Sequence, residues 1–473
     1  MSKILIDEPE PRKEKVAIVG AGLVGCLAAL SFARLGYKVT LYEYRDDPRN
    51  ETTVDRNLRS INLAVSDRGI RALNAVDLEM SIRVLKNILP MRGRMIHDVD
   101  GHQTSMKYGL HNEAINSIDR AYLNIELLNE LDRHKNIKVN YGLKLMKMDF
   151  SGKNGNPRIY FEKTKKVANT LEENAIRTFE YNFVIGADGA YSATRFQLQK
   201  FVRMDFSQEY MDCCYIELYI PPGASKKYKF QLHPNRLHIW PRNKFMLIAL
   251  PNFDGSFTST FFGPWDLTES LDTREKVIDF FQTNFKDAVD LIGLEQVVEA
   301  FLTHPKCSLV CTSCFPYNYK GKCIIVGDAA HSMVPFYGQG MNCGFEDVRV
   351  LVELVKKHEY ELESAFNEYS VTRQQDLDAI ITLARNNYTE MSHNVNTTRY
   401  AVRKKMDAAM HLIFGDKWLP LYTMVSFRGD IRYSDCIKRS KVQGWLLSQL
   451  ELGVYGLGAW LAFKAIRAVV RDR

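Results

Sequence analysis

Short, wholly apolar runs that end in glycine recur three times along the chain, at residues 16–19, 183–185 and 323–326. Because polar residues do not alternate with the apolar ones, each run predicts a strand buried on both faces of an α/β sheet. After the first run, Cys26 to Leu35 predicts a helix and Lys38 to Tyr42 a second strand. The order strand, turn, helix, strand predicts an α/β fold of the Rossmann type.

A different pattern extends from Asp205 to Leu309, where polar and apolar residues alternate in segments rich in aromatic and β-branched residues. Such segments, separated by turns, predict an antiparallel sheet, which we expect to form a layer on the substrate side. Beyond Leu351 the pattern is mainly helical to Arg439. Polar interruptions of these helices are expected at Arg385–Tyr388 and at Leu419–Met424.

The composition, 46% hydrophobic and 25% charged over 473 residues, is that of a globular protein with room for two or three domains. The net charge of +7 is mild for this length, and no block of Lys and Arg with interleaved aromatics is present. Nucleic acid is therefore not expected as a partner. The nine cysteines lack regular spacing, which fits a reducing compartment. The cluster from Cys307 to Cys323 is more typical of a strand than of zinc ligands, and no metal is predicted.

The first glycine turn has the spacing of a dinucleotide-binding loop, with Gly20, Gly22 and Gly25 between strand and helix. Gly20 permits the tight turn, Gly22 lets the backbone approach a pyrophosphate, and Gly25 lets the helix pack on the strand. Glu43 ends the second strand, where its carboxylate can accept hydrogen bonds from both ribose hydroxyls. The loop therefore predicts a dinucleotide with a free adenosine ribose, FAD or NAD more readily than NADP.

Carboxylates follow the second and third apolar runs at Asp188 and Asp328. Ligands of open α/β sheets bind at the carboxyl ends of the strands, so both acids are predicted to lie at a ligand. The segment Gly338–Gly340 then brings backbone N–H groups of another helix start toward an anion. His331 is either a general base or, as we favour, a packed residue.

Two basic residues, Arg92 and Arg94, alternate with Met91 and Met95, which predicts a strand with both arginines on one face. From this pattern alone, that face is either solvated or part of a site. An amphipathic helix is predicted soon after, over Leu123–Asp132.

The two ends of the chain differ in character. Met1 to Lys15 is charged and lacks the apolar core of a secretory signal. Leu452 to Phe463 is uncharged and mostly apolar, but at about 1.5 Å per residue it spans roughly 18 Å, less than a bilayer core. Lys464, Arg467 and Arg471 share a helix face and could reach phosphates. We therefore expect a membrane anchor or an interfacial helix, the alternative being a helix packed on the body.

The three strand-end motifs, taken in order, resemble those of the single-component flavin-dependent aromatic hydroxylases, the fold group of para-hydroxybenzoate hydroxylase. The motifs are Gly20-x-Gly22-x-x-Gly25 with Glu43, Gly186-Ala187-Asp188-Gly189 and Gly327-Asp328-Ala329-Ala330. Within that family, five segments resemble the members that hydroxylate L-kynurenine to 3-hydroxy-L-kynurenine, and the likeness covers about residues 14–430. They are Arg59–Ala64, Pro90–His97, His238–Arg242, Val334–Phe345 and Pro420–Met424.

The resemblance implies bound FAD, NADPH as reductant and O2 as co-substrate, with hydroxylation through a flavin C4a-hydroperoxide in tryptophan degradation. It also implies a Rossmann-like FAD-binding domain, an antiparallel-sheet substrate domain, a C-terminal helical region and a membrane tail. We assign residues 12–88, 115–205 and 318–380 to the FAD-binding domain and residues 89–114 and 206–317 to the substrate domain. Residues 381–440 form the predicted helical region, and residues 441–473 form the predicted tail. A weakly apolar tail with basic flanks predicts the mitochondrial outer membrane, with the catalytic body in the cytosol.

Site residues are implied by the same resemblance. The carboxylate of the amino-acid substrate would be held by Arg94, Tyr108, Asn387 and Tyr422, which suits a guanidinium fork completed by phenols and an amide. Besides Gly20, Gly22, Gly25 and Asp188, FAD would contact Val24, Glu43, Arg45, Ala64, Arg120, Met146, Asp328, Met341 and Asn342. The reacting ring would lie near Pro335, Phe336, Tyr337 and Gly338, where Tyr337 departs from the family's Phe or His. No side chain is assigned an acid–base role, because the flavin carries the chemistry.

Two alternatives to this function stay open from the sequence. One is a related FAD-dependent hydroxylase of another aromatic acid, although a phenolic substrate would call for a polar relay that the sequence does not show. The other is a non-enzymatic carrier with the flavoprotein fold, against which the carboxylates Asp188 and Asp328 argue.

Overall fold

The computed structural model describes residues 12–50, 62–109, 111–164, 176–224, 229–392, 398–449 and 460. In chain order the strands are β1 (Lys15–Val19), β2 (Lys38–Tyr42), β3 (Leu63–Val65), β4 (Leu89–Met91), β5 (Gly93–His97), β6 (Gln103–Lys107), β7 (Ile115–Ile118), β8 (Ile137–Asn140), β9 (Leu143–Asp149), β10 (Arg158–Lys163), β11 (Arg177–Glu180), β12 (Phe183–Gly186), β13 (Asp205–Ile220), β14 (Leu237–Arg242), β15 (Phe245–Pro251), β16 (Phe257–Gly263), β17 (Cys307–Phe315), β18 (Asn318–Tyr319) and β19 (Cys323–Ile325). The helices are α1 (Leu23–Arg34), α2 (Asp67–Val76), α3 (Leu78–Val84), α4 (Arg120–Leu131), α5 (Ala193–Leu198), α6 (Trp265–Ser270), α7 (Arg274–Asn284), α8 (Lys286–Ile292), α9 (Leu294–Thr303), α10 (Asp328–His331), α11 (Gly340–Lys357), α12 (Leu362–Ser392), α13 (Thr398–Phe414) and α14 (Leu421–Phe427). A further helix covers 433–449.

The predicted α/β unit is a six-stranded sheet in the order β18-β19-β12-β1-β2-β8. All its neighbouring pairs are parallel except β18 with β19. The three apolar runs of the sequence form the adjacent strands β1, β12 and β19, with Val19 beside Gly186 and Gly186 beside Ile325. Because parallel strands end at one edge, the turns that follow these strands meet there.

The second sheet has seven strands in the order β17-β13-β16-β15-β14-β5-β6. Its neighbours are antiparallel, as predicted, except that β5 runs parallel to β14, with Arg94 opposite Leu237. Helices α7 to α9 cover the back of this sheet through an aromatic core that includes Trp240, Phe261 and Phe281. Two three-stranded sheets, β11-β10-β9 and β3-β7-β4, complete the strands of the described residues.

The predicted interruption at Arg385–Tyr388 is wrong, because α12 runs without a break from Leu362 to Ser392. The polar residues there have partners in other elements: Arg385 pairs with Glu209 at 2.6 Å, and the buried Asn387 donates to the carbonyl of Phe336 at 2.6 Å. A helix satisfies its own backbone, so polar side chains interrupt it only when they compete for backbone hydrogen bonds. The second predicted interruption, Leu419–Met424, is correct only for Leu419 and Pro420, which lie between α13 and α14. It is wrong for Leu421–Met424, which form the start of α14 directly after Pro420.

The described helices include none that combines the length and the apolar character needed to cross a membrane. Residues 441–449, which the prediction assigned to the tail, continue the helix over 433–449, where Gln443 and Leu447 are buried. Apart from Trp460, the rest of the predicted tail lies outside the described residues.

Candidate active site

One cavity of about 690 Å³ lies where the carboxyl edge of the six-stranded sheet faces the second sheet. Its wall includes Gly20 and Glu43 at one end, Asp188 and Asp328 along the sheet edge, and Arg94 at the other end. The motifs that the sequence separates by hundreds of residues therefore line a single space. A dinucleotide could extend along this edge with its reactive part near Arg94.

The first glycine loop is shaped by its contact with the loop that holds Asp188. A Cβ on Gly20, which has φ +100°, would lie 2.5 Å from the carbonyl oxygen of Ala187, and one on Gly25 would lie 1.9 Å from that of Gly20. A Cβ on Gly22 would meet nothing within 4 Å. Gly20 and Gly25 thus let α1 and the two loops pack closely, whereas Gly22 leaves the side facing the cavity open.

This end of the cavity fits the ADP part of FAD. The carboxylate of Glu43 accepts from the backbone N–H of Ala21 at 2.9 Å and of Arg45 at 3.0 Å, which fixes it at the end of β2. Arg45 and Arg120 stand in the same wall and would offer positive charge to a pyrophosphate. A carboxylate suits the ribose hydroxyls and an open glycine lets the backbone approach the pyrophosphate.

The two strand-end acids have different surroundings. Asp188 accepts from the hydroxyl of Ser192 and from the backbone N–H and hydroxyl of Thr194. Ser192 in turn caps α5, because its hydroxyl oxygen accepts from the backbone N–H of Arg195. Burial raises the pKa of Asp188 above its ordinary value, although the hydrogen bonds that it accepts act to lower it. Arg195 then bridges the two loops, because its guanidinium donates to the carbonyls of Ala190 and Ala329 at 2.6 and 2.7 Å. Asp188 shapes its turn, and Asp328, the first residue of α10, faces the cavity.

A buried ionic network lies behind the Asp328 loop. Arg373 of α12 donates to Asp347 and to Glu346 of α11, each at 2.9 Å, and Glu346 also accepts from Arg68 at 2.8 Å. Asp347 bonds to the ring of His331, and accepts from the backbone N–H of Gly327 at 3.0 Å. His331 is therefore the packed residue that the sequence favoured. The network fixes the loop that presents Asp328.

The far end of the cavity is aromatic and basic. The rings of Tyr108 and Tyr422 stack at 5.1 Å and 21°, and Tyr337 stacks on Tyr422 at 5.6 Å and 27°. The guanidinium of Arg94, which is 6% exposed, lies 5.1 Å from the ring centroid of Tyr422 and 5.7 Å from that of Tyr108. Burial raises the pKa of Tyr108 and of Tyr422, so both phenols stay protonated and can donate to an anion.

Asn342 and Asn387 hold the loop over Pro335–Gly338, and neither of the two lines the cavity. Asn387 donates to the carbonyl of Phe336 at 2.6 Å. Asn342 donates to the carbonyls of Ala64 and Gly338, each at 2.7 Å, and accepts from the backbone N–H of Ser66 at 2.9 Å. Both amides are buried, so their hydrogen bonds fix the loop against β3 and α12.

Comparison with known proteins identifies the family. The profile described as "FAD binding domain" matches residues 13–375. Kynurenine 3-monooxygenase of Candida albicans (strain SC5314) is 52% identical over 451 residues, covering 95% of this chain and 96% of that protein. Kynurenine 3-monooxygenase of Saccharomyces cerevisiae is 51% identical over 460 residues, with coverages of 95% and 98%.

This chain belongs to the kynurenine 3-monooxygenase family. It is an FAD-dependent monooxygenase. At 16% identity, the solved structure of 2-methyl-3-hydroxypyridine-5-carboxylic acid oxygenase has the same fold, with a TM-score of 0.62 over 82% of this chain and 95% of that one. Klebsiella pneumoniae HpxO with FAD aligns with a TM-score of 0.60 at 16% identity, covering 81% and 91%.

Most of the residues that the sequence assigned to a kynurenine 3-monooxygenase site line the cavity. They are Gly20, Gly22, Val24, Glu43, Arg45, Ala64, Arg94, Tyr108, Arg120, Asp188, Asp328, Pro335, Phe336, Tyr337, Gly338, Met341 and Tyr422. Gly25, Asn342 and Asn387 are buried beside it. Met146 is 43% exposed, and the neighbouring Leu143, Lys144 and Leu145 line the cavity instead.

The two arginines expected on one strand face do not share it. The chain leaves β4 after Met91 and enters β5 at Gly93, so Arg92 falls in the break between the strands. Only Arg94 of this pair belongs to the cavity wall. A Cβ at Gly93 would lie 2.3 Å from the carbonyl oxygen of Met106, which is why the sequence has glycine there.

Sequence reasoning missed Glu390, whose carboxylate lies 3.6 Å from the guanidinium of Arg94. A signal for it was present, because Glu390 follows Asn387 by three residues and the two share a face of any helix. The assumed interruption at Arg385–Tyr388 hid that spacing.

Proposed function

We propose that the protein hydroxylates L-kynurenine to 3-hydroxy-L-kynurenine, consuming one NADPH, one proton and one O2 and releasing NADP⁺ and water. The observation that carries the proposal is Arg94, a buried guanidinium at the end of the cavity opposite the glycine loop. A planar guanidinium beside protonated phenols suits the carboxylate of an amino acid. Relatives in Candida albicans and Saccharomyces cerevisiae bear the name kynurenine 3-monooxygenase.

FAD, when bound, supplies the redox chemistry, taking electrons from NADPH and passing one atom of O2 to the substrate ring. The chain's residues bind and orient the substrate. Arg94, Tyr108 and Tyr422 would hold the carboxylate, which directs the aromatic ring toward the loop over Pro335–Gly338. Apolar side chains such as Phe336 and Met391 in the wall would exclude water from the reacting ring.

The test compares L-kynurenine with a panel of other aromatic acids in an assay of NADPH oxidation by the FAD-loaded protein. L-Kynurenine is expected to stimulate oxidation more than any other member, and mass analysis is expected to show one added oxygen atom in the product. Stronger stimulation by a phenolic acid, with that acid hydroxylated, would replace the proposal with the related-hydroxylase alternative.

We further propose that the chain is held on the mitochondrial outer membrane by its C-terminal segment, with the catalytic body in the cytosol. Support comes from the apolar stretch Leu452–Phe463 and the basic residues Lys464 and Arg467 after it. On the helix that precedes it, Val442 and Trp445 are 58% and 62% exposed, whereas Leu447 is buried.

Because Leu447 packs on the body, the informative truncation removes 450–473 rather than all of 441–473. The full chain is expected to sediment with outer-membrane markers, and the truncated chain is expected to be recovered in the supernatant with unchanged turnover. Fractionation and NADPH oxidation measure both. A truncated protein that still sediments with membranes contradicts the proposal.

A further inference from the structure

One face of α12 carries three residues that either line the cavity or contact residues of its wall. Asn387, Glu390 and Met391 are spaced by three and four residues, the spacing at which side chains of a helix are neighbours. Asn387 holds the loop at Phe336, and Met391 lines the cavity. Glu390 lies between them and extends toward Arg94, with 3.6 Å between Oε1 of Glu390 and Nη1 of Arg94.

The charged side chains around Arg94 include more cations than carboxylates. Arg94 has a side chain that is 7% exposed, and that of Glu390 is 36% exposed. Lys404 of α13 donates to the carbonyl of Lys107 at 2.9 Å. Loss of hydration lowers the pKa of Lys404, the charge of Arg94 lowers it further, and Glu390 acts in the opposite direction. Two cations and one carboxylate thus interact here, an arrangement that suits a ligand carrying both an anion and a cation.

We propose that Glu390 binds the ammonium group of an α-amino-acid substrate while Arg94 binds its carboxylate, which makes Glu390 a specificity-determining residue. This inference rests on the proposed function and deepens it. A zwitterion entering the site replaces the Arg94–Glu390 ion pair with two ion pairs, so each charge keeps a partner. An aromatic acid without the ammonium group would place its carboxylate beside that of Glu390, and the two negative charges would repel each other.

A different role for Glu390 predicts a different result. If Glu390 only occupied Arg94 until a ligand arrived, removing its charge would tighten the binding of every carboxylate ligand to the same degree. Recognition of the ammonium group instead predicts opposite changes for ligands with and without it. The ratio of two affinities therefore separates the two roles.

The experiment measures the Kd of L-kynurenine and of its deamino analogue, 4-(2-aminophenyl)-4-oxobutanoate, from the change in flavin absorbance of the oxidised, FAD-loaded protein. The wild type is expected to prefer L-kynurenine. In Glu390→Gln, binding of L-kynurenine is expected to weaken by about 10- to 100-fold, the range for one charge-assisted hydrogen bond, while the analogue binds as well or better. The ratio of the two Kd values in this variant is then close to one.

Two variants control this experiment. Glu390→Asp keeps the charge on a shorter side chain and is expected to retain part of the preference. Glu353→Gln removes a carboxylate that pairs with Arg349 at 2.7 Å on α11, and is expected to leave both affinities unchanged. Flavin content confirms that each variant is folded and loaded.

An unchanged preference in Glu390→Gln overturns the inference, and so does equal tightening of both ligands. If the wild type instead binds and hydroxylates another aromatic amino acid, the proposed function fails. The ammonium inference is then judged from that amino acid and its own deamino analogue. If the wild-type protein prefers aromatic acids that lack the ammonium group, both the proposed function and the ammonium inference are overturned.

Discussion

Replacing Arg94 by alanine is expected to lower kcat/KM for kynurenine-dependent NADPH oxidation by at least about 30-fold, while the protein keeps its FAD. The guanidinium is buried at the end of the cavity, and truncating one partner of a buried charge pair costs about 2–5 kcal/mol. The residues that fit the ADP part include Gly20 and Glu43, which follow β1 and β2 of the six-stranded sheet, whereas Arg94 belongs to β5 of the second sheet. Steady-state NADPH oxidation and flavin absorbance of the same preparation measure the two properties.

Two further variants define what Arg94 contributes. Arg94→Lys keeps the charge but loses the planar fork, so an intermediate loss is expected. Arg92→Ala removes the neighbouring arginine, which lies in the break between β4 and β5, and is expected to leave activity near wild type. Full kynurenine stimulation in Arg94→Ala would remove Arg94 from the substrate site.

Replacing Arg373 by methionine is expected to destabilise the folded protein by about 3–5 kcal/mol, because Glu346 and Asp347 each lose a partner inside the protein. Their side chains are 5% and 0% exposed, so water cannot take the place of the guanidinium. Because Asp347 also binds Gly327 N–H, weaker FAD retention is expected as well. Urea denaturation followed by flavin fluorescence measures both effects.

The same network gives stability a definite dependence on pH. Burial alone would raise the pKa of Asp347, but the charges of His331 and Arg373 outweigh it and hold that pKa well below its ordinary value. An acid with a lowered pKa contributes stability above its unfolded pKa and loses it as the pH falls toward the folded one. Arg373→Met removes one of the charges that lower this pKa, so the stability that Asp347 contributes above its unfolded pKa, and the stability lost on acidification, should both be smaller than in wild type.

A surface ion pair provides the matched control. Arg274→Met breaks the exposed pair with Glu295 and is expected to leave both the denaturation midpoint and its pH dependence unchanged. An Arg373→Met variant as stable as Arg274→Met would show that the buried network does not hold the Asp328 loop.

The predictable parts of the fold are those that depend only on the local sequence. The runs at 16–19, 183–185 and 323–326 are apolar on both faces and end in turn residues, so their strands and loops could be located without knowing their neighbours. The alternating region at 205–309 was predictable in the same way. Arg385–Tyr388 was not, because its polar side chains are satisfied by Glu209 and Phe336, whose proximity no local pattern contains.

The sequence by itself determined the α/β unit, the dinucleotide loop with Gly20 and Glu43, and the acids that follow the buried strands, since strand periodicity and glycine turns act over a few residues. The tertiary structure determined which residues lie together at the end of the cavity that would hold the substrate. Arg94 is placed there by the parallel pairing of β5 with β14, and Glu390 by the packing of α12. These contacts join segments more than 100 residues apart, and they depend on how whole elements bury their apolar faces against each other.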